Sequence, residues 1–356
     1  MRQPSDARRQ RILAVVRSRG AARVADLAEE LQVSIVTVRR DVEELARAGK
    51  LRRGHGVARS LLPVESPGAP ASVDGGAVAL MVPERHTYLY ETLHGARSAL
   101  EDAGLRIVLH IVPKVAGAER PIVERALAEG VQGLLIAPRW RTLAEEEDAY
   151  GWLARVDLPI VVMERRPRRG SALHAADSVC SDHWYGMQLA VEHLLSLGHR
   201  RIVLAARDDS PTARVLRAAF AEIAAARLED WTIVLSAPGA GADPDEEPPE
   251  FASVLRSRRA TAAILHGDED ALMIVQQLAE AGIRVPQDCP VVAYDDVVAA
   301  LGSTPLTAIA PPKAEVGRVA AELLLERLAR PGAWRPRRIE LLPELTVRGS
   351  TDRLTD

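Results

Sequence analysis

Residues 260–296 read ATAAILHGDEDALMIVQQLAEAGIRVPQDCPVVAYDD, and this segment indicates the architecture of most of the chain. Its two short apolar runs, Ala262–His266 and Pro290–Tyr294, have the length of buried strands. Between them, Glu269–Ala281 has the apolar spacing of a helix. A strand, a helix and a second strand in this order predict parallel strands with a helix packed against the sheet.

The same alternation extends over the chain from Ala77 onward. Further strands are predicted at Ala77–Val82, Arg106–Ile111, Gly133–Ala137, Pro159–Met163, Arg201–Ala206 and Thr232–Ser236. Further helices are predicted at Tyr88–Ala103, Tyr185–Leu197, Thr212–Ala226 and Lys313–Ala329. We therefore expect an α/β fold. One large sheet is possible, but a length of about 270 residues fits two doubly wound parallel-sheet lobes better.

Positive charge is concentrated at the N-terminus. Residues 1–60 contain 14 lysines and arginines against 7 acidic residues, a net charge of +7. The remaining 296 residues contain 32 against 42, a net charge of −10. A cationic segment of this kind fits duplex DNA, and the acidic remainder is not expected to bind DNA itself.

Residues 8–60 show three helical patterns followed by a hairpin. The apolar positions of the first two helices are Ile12, Leu13, Val16, Val24, Leu27 and Leu31. Ser34 is suited to cap a third helix that ends near Ala48, before Gly49. Leu51–Ser60 then has the pattern of a hairpin with glycines at its turn and arginines on its arms. We predict a small winged helix-turn-helix domain over residues 1–60.

The third helix has two different faces. Its apolar face, which we expect to be buried, contains Ile35, Val38, Val42 and Leu45. The opposite face centres on Arg40, with Val36 and Thr37 beside it. A long bidentate donor among short side chains suits base edges in a major groove. Arg39 lies on the flank and can reach a phosphate or an internal acidic partner, while a solvated surface arginine is the alternative for Arg40.

Residues 61–76, LLPVESPGAPASVDGG, have no periodic pattern and contain three prolines and three glycines. We predict a semi-stiff linker that spans roughly 20 Å. The alternative is a mobile loop within one domain.

Polar side chains follow several of the predicted strands, where ligands bind in open parallel sheets. These residues are Glu164, Arg165, Arg214, Asp268 and Asp295. Two carboxylates and an arginine that converge on one cleft suit a neutral polyol, because each engages adjacent hydroxyl groups. Three aromatic residues near strand ends, Tyr88, Trp184 and Tyr294, are expected to stack on the apolar face of a sugar.

The sequence gives no sign of catalytic, metal-binding or disulfide chemistry. Cys180 and Cys289 belong to no CxxC pair, and motifs for phosphate loops, zinc proteases and nucleophile elbows are absent. We therefore expect no metal, no cofactor and no enzymatic activity. A polar N-terminus and short apolar runs predict a cytoplasmic protein without a secretory signal or membrane partner.

The segment VADLAEELQVSIVTVRRDVEELARAGKLRRGHGVA resembles the DNA-binding region of DeoR-type bacterial repressors over about 50 residues. The resemblance implies that the recognition surface contains Ser34, Thr37, Arg39 and Arg40. It also implies that Lys50–Arg59 forms the wing, where we expect Arg52, Arg53 and His55 to contact DNA. Val57 stands where the family often has a second glycine, which affects only the turn of the wing.

From about Gly76 to Thr351 the chain resembles the effector-binding core of the lactose-repressor (LacI/GalR) family instead. The motifs that carry this resemblance are AVEHLLSLGHRRIVLAA (190–206), the segment 260–296, STPLTAI (303–309), EVGRVAAELLLERL (315–328) and LPELTVRGST (342–351). It implies a clamshell of the periplasmic-binding-protein type and a homodimer or tetramer. We expect lobe 1 at about 77–198 and 297–330, and lobe 2 at about 199–296 and 331–351.

This second resemblance also implies ligand-binding roles for individual residues. Together with the aromatic residues, the expected ligand-binding set is Tyr88, Asp182, Trp184, Arg214, Asp268 and Asp295. The alternatives are a salt bridge between the lobes for Arg214 and Asp295, helix capping for Asp268, and core packing for Tyr88 and Trp184. Gly267 and Ala219 depart from the family pattern, and one ligand hydrogen bond is absent at Gly267 or comes from water.

These observations favour a transcriptional repressor that binds operator DNA under the control of a small carbohydrate effector. The proline-rich linker disfavours the hinge helix of lactose-repressor relatives, so we expect the signal to pass through dimer geometry. The alternative is a sugar- or nucleoside-processing enzyme with a DNA-binding appendage.

Overall fold

A computed structural model describes most of the chain. The described residues are 8–9, 11–13, 15–16, 21–31, 33–47, 50–54, 57–59, 76–84, 87–113, 115–140, 142–208, 210–236, 250–330, 332 and 334–354. For residues 21, 23, 29, 30, 52–54, 57–59 and 143 only the backbone is described. The predicted linker, apart from Gly76, and His55 lie outside the described residues.

The N-terminal segment forms a small domain, the head. Helical residues between 8 and 16 are followed by β1 (Ala21–Arg23), α1 (Val24–Glu30), α2 (Ile35–Arg47), β2 (Arg52–Gly54) and β3 (Val57–Arg59). The strands form an antiparallel sheet in the order β1-β3-β2. A tight helix pair with a hairpin behind it is the predicted winged helix-turn-helix arrangement.

Among the described residues of the head, the buried core is apolar apart from the carboxylate of Asp41. Its fully buried residues include Ile12, Leu27, Val38 and Val42. Asp41 is also buried, in α2, and accepts hydrogen bonds from Arg8 and Arg9, with an Arg9 Nε to Asp41 Oδ1 distance of 3.3 Å. These two guanidinium groups compensate the buried charge of Asp41.

Lobe 1 is built on a six-stranded, wholly parallel sheet in the order β14-β8-β7-β6-β4-β5. Its strands are β4 (Ala77–Pro83), β5 (Arg106–Val112), β6 (Gly133–Ile136), β7 (Ile160–Met163), β8 (Asp177–Ser181) and β14 (Arg338–Leu341). Its helices are α3 (Leu89–Asp102), α4 (Glu119–Ala128), α5 (Leu143–Tyr150), a 3-10 helix (Gly151–Arg155) and α10 (Lys313–Ala329). Strand β4, which lies between β6 and the edge strand β5, is buried along its whole length because helices cover both faces of the sheet.

Lobe 2 has a second six-stranded sheet in the order β10-β9-β11-β12-β13-β15, in which only β15 is antiparallel. Its strands are β9 (Arg201–Ala206), β10 (Asp230–Leu235), β11 (Ala262–His266), β12 (Val291–Tyr294), β13 (Thr307–Ala310) and β15 (Glu344–Thr346). Its helices are α6 (His183–Ser196), α7 (Pro211–Arg227), α8 (Phe251–Arg258), α9 (Asp268–Glu280) and a 3-10 helix (Ala299–Leu301). The two-lobed fold predicted from the sequence is confirmed.

Helices α3 and α10 join sequence-distant parts of lobe 1 through a close backbone approach. A Cβ atom at Gly317 would lie 1.8 Å from the carbonyl oxygen of Thr92, and one at Gly95 would lie 1.8 Å from that of Ala314. Only glycine allows this contact, which seals the core around Leu93, Ala96 and Leu324. Helix α10 therefore belongs to lobe 1 although it follows lobe 2 along the chain.

The lobe boundaries predicted from the sequence are wrong at all three crossings. Helix α6 packs in the core of lobe 2, strand β13 joins its sheet, and strand β14 returns to lobe 1. The chain crosses at Asp182, between Ala310 and Lys313, and between Leu341 and Glu344, rather than near 198, 296 and 330. Each crossing has at most two residues between elements. Pro311, Pro312 and Pro343 mark two of the crossings as breaks between elements, but a break does not show that the chain changes lobe. Within the described part of the chain, no helix has the length and apolar character needed to cross a membrane.

Candidate functional site

A cleft lies between the two lobes at the carboxyl ends of their strands. Its main cavity has a volume of about 190 Å³ and is lined by Tyr88 and Arg165 of lobe 1 and by Arg207, Asp268 and Asp295 of lobe 2. A second cavity of about 70 Å³ also contacts Arg165 and shares Thr212 with the first. The two cavities are therefore adjoining parts of one cleft.

A larger cavity of about 560 Å³ lies on lobe 2, away from this cleft. Ser236 and Glu250, which bracket residues 237–249, are among its lining residues. Because residues 237–249 lie outside the described part of the chain, this volume does not define a complete cavity. We therefore assign no site to it.

Asp268 is the first residue of α9 and lies 3% exposed at the end of β11. Its Oδ2 atom accepts hydrogen bonds from the backbone N–H groups of Val297 and Val298, the latter at 3.0 Å. Its buried Oδ1 atom has no hydrogen-bond partner among the described residues. Asp268 thus holds a neighbouring turn rather than capping its own helix, and burial raises its carboxyl pKa to about 6.

Asp295 directly follows β12 in a left-handed backbone conformation, with φ 109°. Lys313 Nζ donates to its backbone carbonyl oxygen at 2.6 Å. Its side-chain Oδ1 atom is buried and has no hydrogen-bond partner within the described chain. Burial, together with the nearby Asp268 carboxylate, raises the pKa of Asp295 well above its usual value, whereas Lys313 lowers it.

Glu164 faces these two aspartates from the end of β7. It accepts hydrogen bonds from Tyr88 Oη at 3.0 Å and from Ser181 Oγ at 3.2 Å. Burial raises the pKa of Glu164, and these hydrogen bonds and the charge of Arg165 lower it. Burial and the charge of Glu164 also raise the pKa of the Tyr88 hydroxyl, which therefore stays protonated as a donor. Tyr88 is fixed by this bond, and Lys313 Nζ lies 5.6 Å from the centre of its ring.

The cations that line the main cavity have partners within the protein. Arg165 donates to the backbone carbonyl oxygens of Pro138 at 2.8 Å and of Glu164 at 2.6 Å. Arg207 forms a bidentate pair with Asp270, with both N–O distances 2.6 Å. Arg207 was not predicted as a site residue, although it directly follows β9 and the strand-end rule could have found it.

The smaller cavity contains the other residues predicted from the sequence. Asp182 caps α6 by accepting a hydrogen bond from the Tyr185 N–H group at 3.0 Å. Trp184 is 40% exposed, and its Nε1 atom donates to Glu222 at 3.3 Å. Arg214 lines the same cavity, and partial burial lowers its pKa. The structure thus divides the predicted set, with Tyr88, Asp268 and Asp295 in one part of the cleft and Asp182, Trp184 and Arg214 in the other.

Tyr294 does not line the cleft, contrary to the prediction that it stacks on a sugar. It is completely buried at the end of the interior strand β12, and its hydroxyl group lies 3.1 Å from His183 Nδ1. A Cβ atom at Gly186 would lie 2.4 Å from this hydroxyl, which explains the glycine in α6. The sequence pattern missed His183, whose buried Nε2 atom has no hydrogen-bond partner in the described structure. Burial lowers the pKa of His183 to about 3, so its ring is neutral.

In the head, α2 presents a polar, cationic surface to solvent. The side chain of Arg40 is 83% exposed and lies 3.9 Å from Glu44, and Val36 is 74% exposed. Ser34 caps the helix, since its Oγ atom accepts a hydrogen bond from the Thr37 N–H group at 3.2 Å. These exposed side chains lie beside one another at the N-terminal end of the helix.

The structure corrects one expectation for the head, narrows a second and does not describe the side chains that a third concerns. Ile35 is 46% exposed and belongs to the solvent side of α2 rather than to the buried face, which begins at Val38. Arg39 is exposed, so a phosphate rather than an internal acidic partner fits its position. The side chains of Arg52 and Arg53, like His55, lie outside the described residues, so their DNA contacts stay predictions.

Comparisons with known proteins identify both parts of the chain. A model of the DeoR-like helix-turn-helix domain matches residues 8–63, and a model of the periplasmic binding protein-like domain matches residues 191–351. The arabinose metabolism transcriptional repressor of Geobacillus stearothermophilus is 27% identical over 333 residues, which cover 92% of this chain and 90% of that protein. The chain is a transcriptional regulator with a DeoR-like helix-turn-helix head and a periplasmic binding protein-like core.

Another curated relative and two solved structures match large parts of the chain. The repressor PurR of Haemophilus influenzae is 33% identical over 200 residues, 54% of this chain and 57% of that protein. The lac repressor dimer bound to operator superposes with a TM-score of 0.63 at 21% identity, over 78% of this chain and 95% of that one. A LacI family regulator from Enterococcus faecium with bound ribose gives 0.60 at 24% identity, over 78% of this chain and all of that one. At these identities the two structures show the fold.

The cleft of the regulator is chemically suited to accept hydrogen bonds from a ligand. Two buried carboxylate oxygens, on Asp268 and Asp295, have no partner among the described residues. Among those residues no group of three or more histidine, cysteine, aspartate or glutamate side chains is arranged to hold a metal ion. An empty acceptor needs an N–H or O–H group, and a buried acceptor left without one costs free energy.

Proposed function

We propose that this regulator is a repressor whose affinity for operator DNA is set by a sugar bound between the lobes. The observation that carries the proposal is the pair of unpartnered carboxylate oxygens of Asp268 and Asp295 in a cleft formed by both lobes. Acceptors of this kind pair with the adjacent hydroxyl groups of a polyol.

The head supplies the DNA-binding half of the proposal. Arg40, with its long exposed side chain, is proposed to donate two guanidinium N–H groups to O6 and N7 of a guanine in the major groove. Val36 and Thr37 lie beside it and contact the neighbouring bases, while Ser34 and Arg39 approach phosphates. Residues Arg52, Arg53 and His55 of the predicted wing extend the contact to the backbone of the duplex. Because the lac repressor relative is a dimer, we propose a homodimer that binds two half-sites of a (pseudo)palindrome.

The effector half rests on both parts of the cleft. We propose that Asp268, Asp295 and Tyr88 contact the sugar directly, and that Asp182, Trp184 and Arg214 complete the site at its other end. Relatives are named for arabinose metabolism, and one solved relative holds ribose, which favours a pentose or a related monosaccharide.

Coupling between the two halves is proposed to run through closure of the lobes. Contacts across the cleft include Thr87 Oγ1 to Glu269 Oε1 at 3.3 Å and Lys313 Nζ to the Asp295 carbonyl oxygen at 2.6 Å. Each lobe has its own hydrophobic core, and only three short connections join the two lobes. The lobes can therefore rotate relative to each other as rigid bodies. A ligand that favours one lobe angle thereby changes the distance between the two heads of a dimer.

We further infer that the chain is not an enzyme and that it acts in the cytoplasm, where its operator is located. The relatives with known roles are repressors, and the polar groups of the cleft are consistent with holding a sugar without turnover. The alternative, an enzyme with a DNA-binding appendage, has no specific observation in its favour.

The test is a pair of binding measurements on the full chain. Fluorescence anisotropy should show salt-dependent binding to duplexes from the promoter region that precedes its own gene. A thermal-shift screen of pentoses, hexoses and polyols should reveal one that stabilises the protein and is recovered unchanged. Absence of duplex binding, or conversion of the sugar into a product, would contradict the proposal.

A further inference from the structure

We infer that the cleft accepts a monosaccharide-sized ligand without an anionic group, and therefore discriminates against the phosphorylated form of the same sugar. This inference rests on the proposed function, because it specifies the chemistry of the effector. It follows from the size of the cavity, from the partners of its cations and from its unpartnered acceptors.

The size of the cavity limits the ligand. Its volume of about 190 Å³ is well below the roughly 300–1,000 Å³ of pockets for drug-sized molecules. The adjoining cavity adds about 70 Å³. A pentose or a hexose fits such a space better than a disaccharide or a nucleotide does.

The cations near the cavity are already engaged. Arg165 donates to two backbone carbonyl oxygens, and Lys313 Nζ donates to those of Asp295 and Pro311. Arg207 is held by both oxygens of Asp270. A phosphate or carboxylate group would have to displace one of these partners, and the displaced group would then be left without its hydrogen bonds.

By contrast, hydrogen-bond acceptors outnumber cations in the lining of the main cavity. Four carboxylates line the main cavity, on Asp268, Glu269, Asp270 and Asp295, against two guanidinium groups. Of the carboxylates, Asp268 and Asp295 each keep one oxygen without a hydrogen-bond partner in the described structure, and Asp268 is 3% exposed. Such oxygens are satisfied by hydroxyl or ammonium donors, and they repel an anion.

The protonation behaviour of the two aspartates agrees with this chemistry. Burial raises the pKa of Asp268 to about 6 and that of Asp295 well above its usual value. Donors from a sugar stabilise the ionised carboxylates, whereas an approaching phosphate would destabilise them further. The ionised form of the two aspartates is therefore favoured beside a neutral sugar and disfavoured beside a phosphate.

Matched pairs of ligands test the inference on the full-length protein. Isothermal titration calorimetry would compare ribose with ribose 5-phosphate, arabinose with arabinose 5-phosphate, and glucose with glucose 6-phosphate and glucosamine. We expect a neutral sugar or glucosamine to bind, and the corresponding phosphate to bind at least about 100-fold more weakly, since facing like charges is costly. A phosphate that binds as tightly as its neutral parent overturns the inference and leaves the sugar-responsive function in place. If no member of the panel binds, the proposed sugar effector fails, and the inference fails with it.

Two substitutions test whether the carboxylate charges cause the discrimination. Asp268→Asn and Asp295→Asn keep the shape and one acceptor oxygen but remove the charge. Both should weaken binding of the neutral sugar and narrow the gap between the sugar and its phosphate by about tenfold or more. The control is Glu280→Gln, an exposed carboxylate at the far end of α9, which should leave the gap unchanged. An unaltered gap in both aspartate variants would show that the charges do not select the ligand.

Discussion

The head and the cleft both bury carboxylates, and they treat them differently. In the head, Asp41 is buried but receives hydrogen bonds from Arg8 and Arg9. In the cleft, Asp268 is buried and Asp295 is half-buried, and each has a buried oxygen without a partner among the described residues. A paired buried charge serves the fold, whereas an unpaired one costs stability and persists where a ligand supplies the missing donors.

The largest effect that this comparison predicts is on the head. Asp41→Ala leaves two arginines facing a vacated buried position, and we expect a loss of about 3–5 kcal/mol in the free energy of unfolding of the head. Chemical denaturation followed by circular dichroism would measure it. Arg39→Ala, which removes an exposed arginine from the same helix, should change stability by less than about 0.5 kcal/mol. Equal stabilities of the two variants would show that the Asp41 pairs contribute nothing.

The second effect is on ligand binding in the cleft. Asp295→Asn retains a residue type that tolerates the left-handed backbone at φ 109°, so the fold should persist. We expect the Kd for the neutral effector to rise about 100-fold, because a charged acceptor that faces sugar hydroxyls is replaced by a neutral one. Calorimetry measures the change against Glu280→Gln. Wild-type affinity in Asp295→Asn would remove this residue from the site.

The third effect concerns the exposed cation of the head. Arg40→Ala should weaken operator binding by roughly 1–3 kcal/mol and reduce discrimination at one base pair, because a bidentate contact to a base is lost. The matched control is Arg47→Ala, which removes an exposed arginine at the other end of α2. The affinities of both protein variants would be measured for the operator and for operators changed at each base pair. These affinities would distinguish the effect of Arg40→Ala from that of Arg47→Ala. An unchanged preference at every position would place Arg40 outside the reading surface.

The smallest effect is a gain in stability in the cleft. Folding raises the pKa of Asp268 from about 4 in the unfolded chain to about 6, so the folded state binds the proton more tightly. Its contribution to stability is therefore full below about pH 4 and is lost as the pH rises through about 6. Because asparagine does not ionise, Asp268→Asn removes this loss of stability at high pH. It also keeps an acceptor oxygen for the Val297 and Val298 N–H groups. We expect a gain on the order of 1–2 kcal/mol at pH 7 and little gain at pH 4, as measured by thermal unfolding at both values. If the variant were less stable than the wild type at pH 7, this would contradict the conclusion that one carboxylate oxygen of Asp268 lacks a hydrogen-bond partner.

The sequence revealed long elements with clear periodicity but not the short polar ones. The strands Ala262–His266 and Arg201–Ala206 were predicted at their observed bounds because they are continuous apolar runs between helical segments. Strand β8, Asp177–Ser181, was missed since it is mostly polar, and its pairing depends on strands β7 and β14. The lobe crossings were misplaced for a related reason, because which sheet a segment joins is a tertiary property.

For the cleft, the rule that ligands bind beyond strand ends located Asp268, Asp295 and Glu164 correctly at the interlobe surface. The rule failed for Tyr294, because the direction of a side chain at a strand end depends on the local pleat and on the neighbouring helix. His183 could not be predicted from the pattern either. Its significance comes from burial and from its contact with Tyr294, which only the packing of α6 reveals.

The most direct test of the account is the affinity of the full-length protein for its operator, measured with and without the neutral sugar. In the wild type, a saturating sugar should change the operator Kd by about 5-fold or more, the usual range of coupling between two sites. In Asp295→Asn, the operator Kd without sugar should equal that of the wild type, and the same sugar concentration should leave it unchanged. A sugar that binds the wild type without changing its operator Kd, or one that acts equally on Asp295→Asn, would contradict the account.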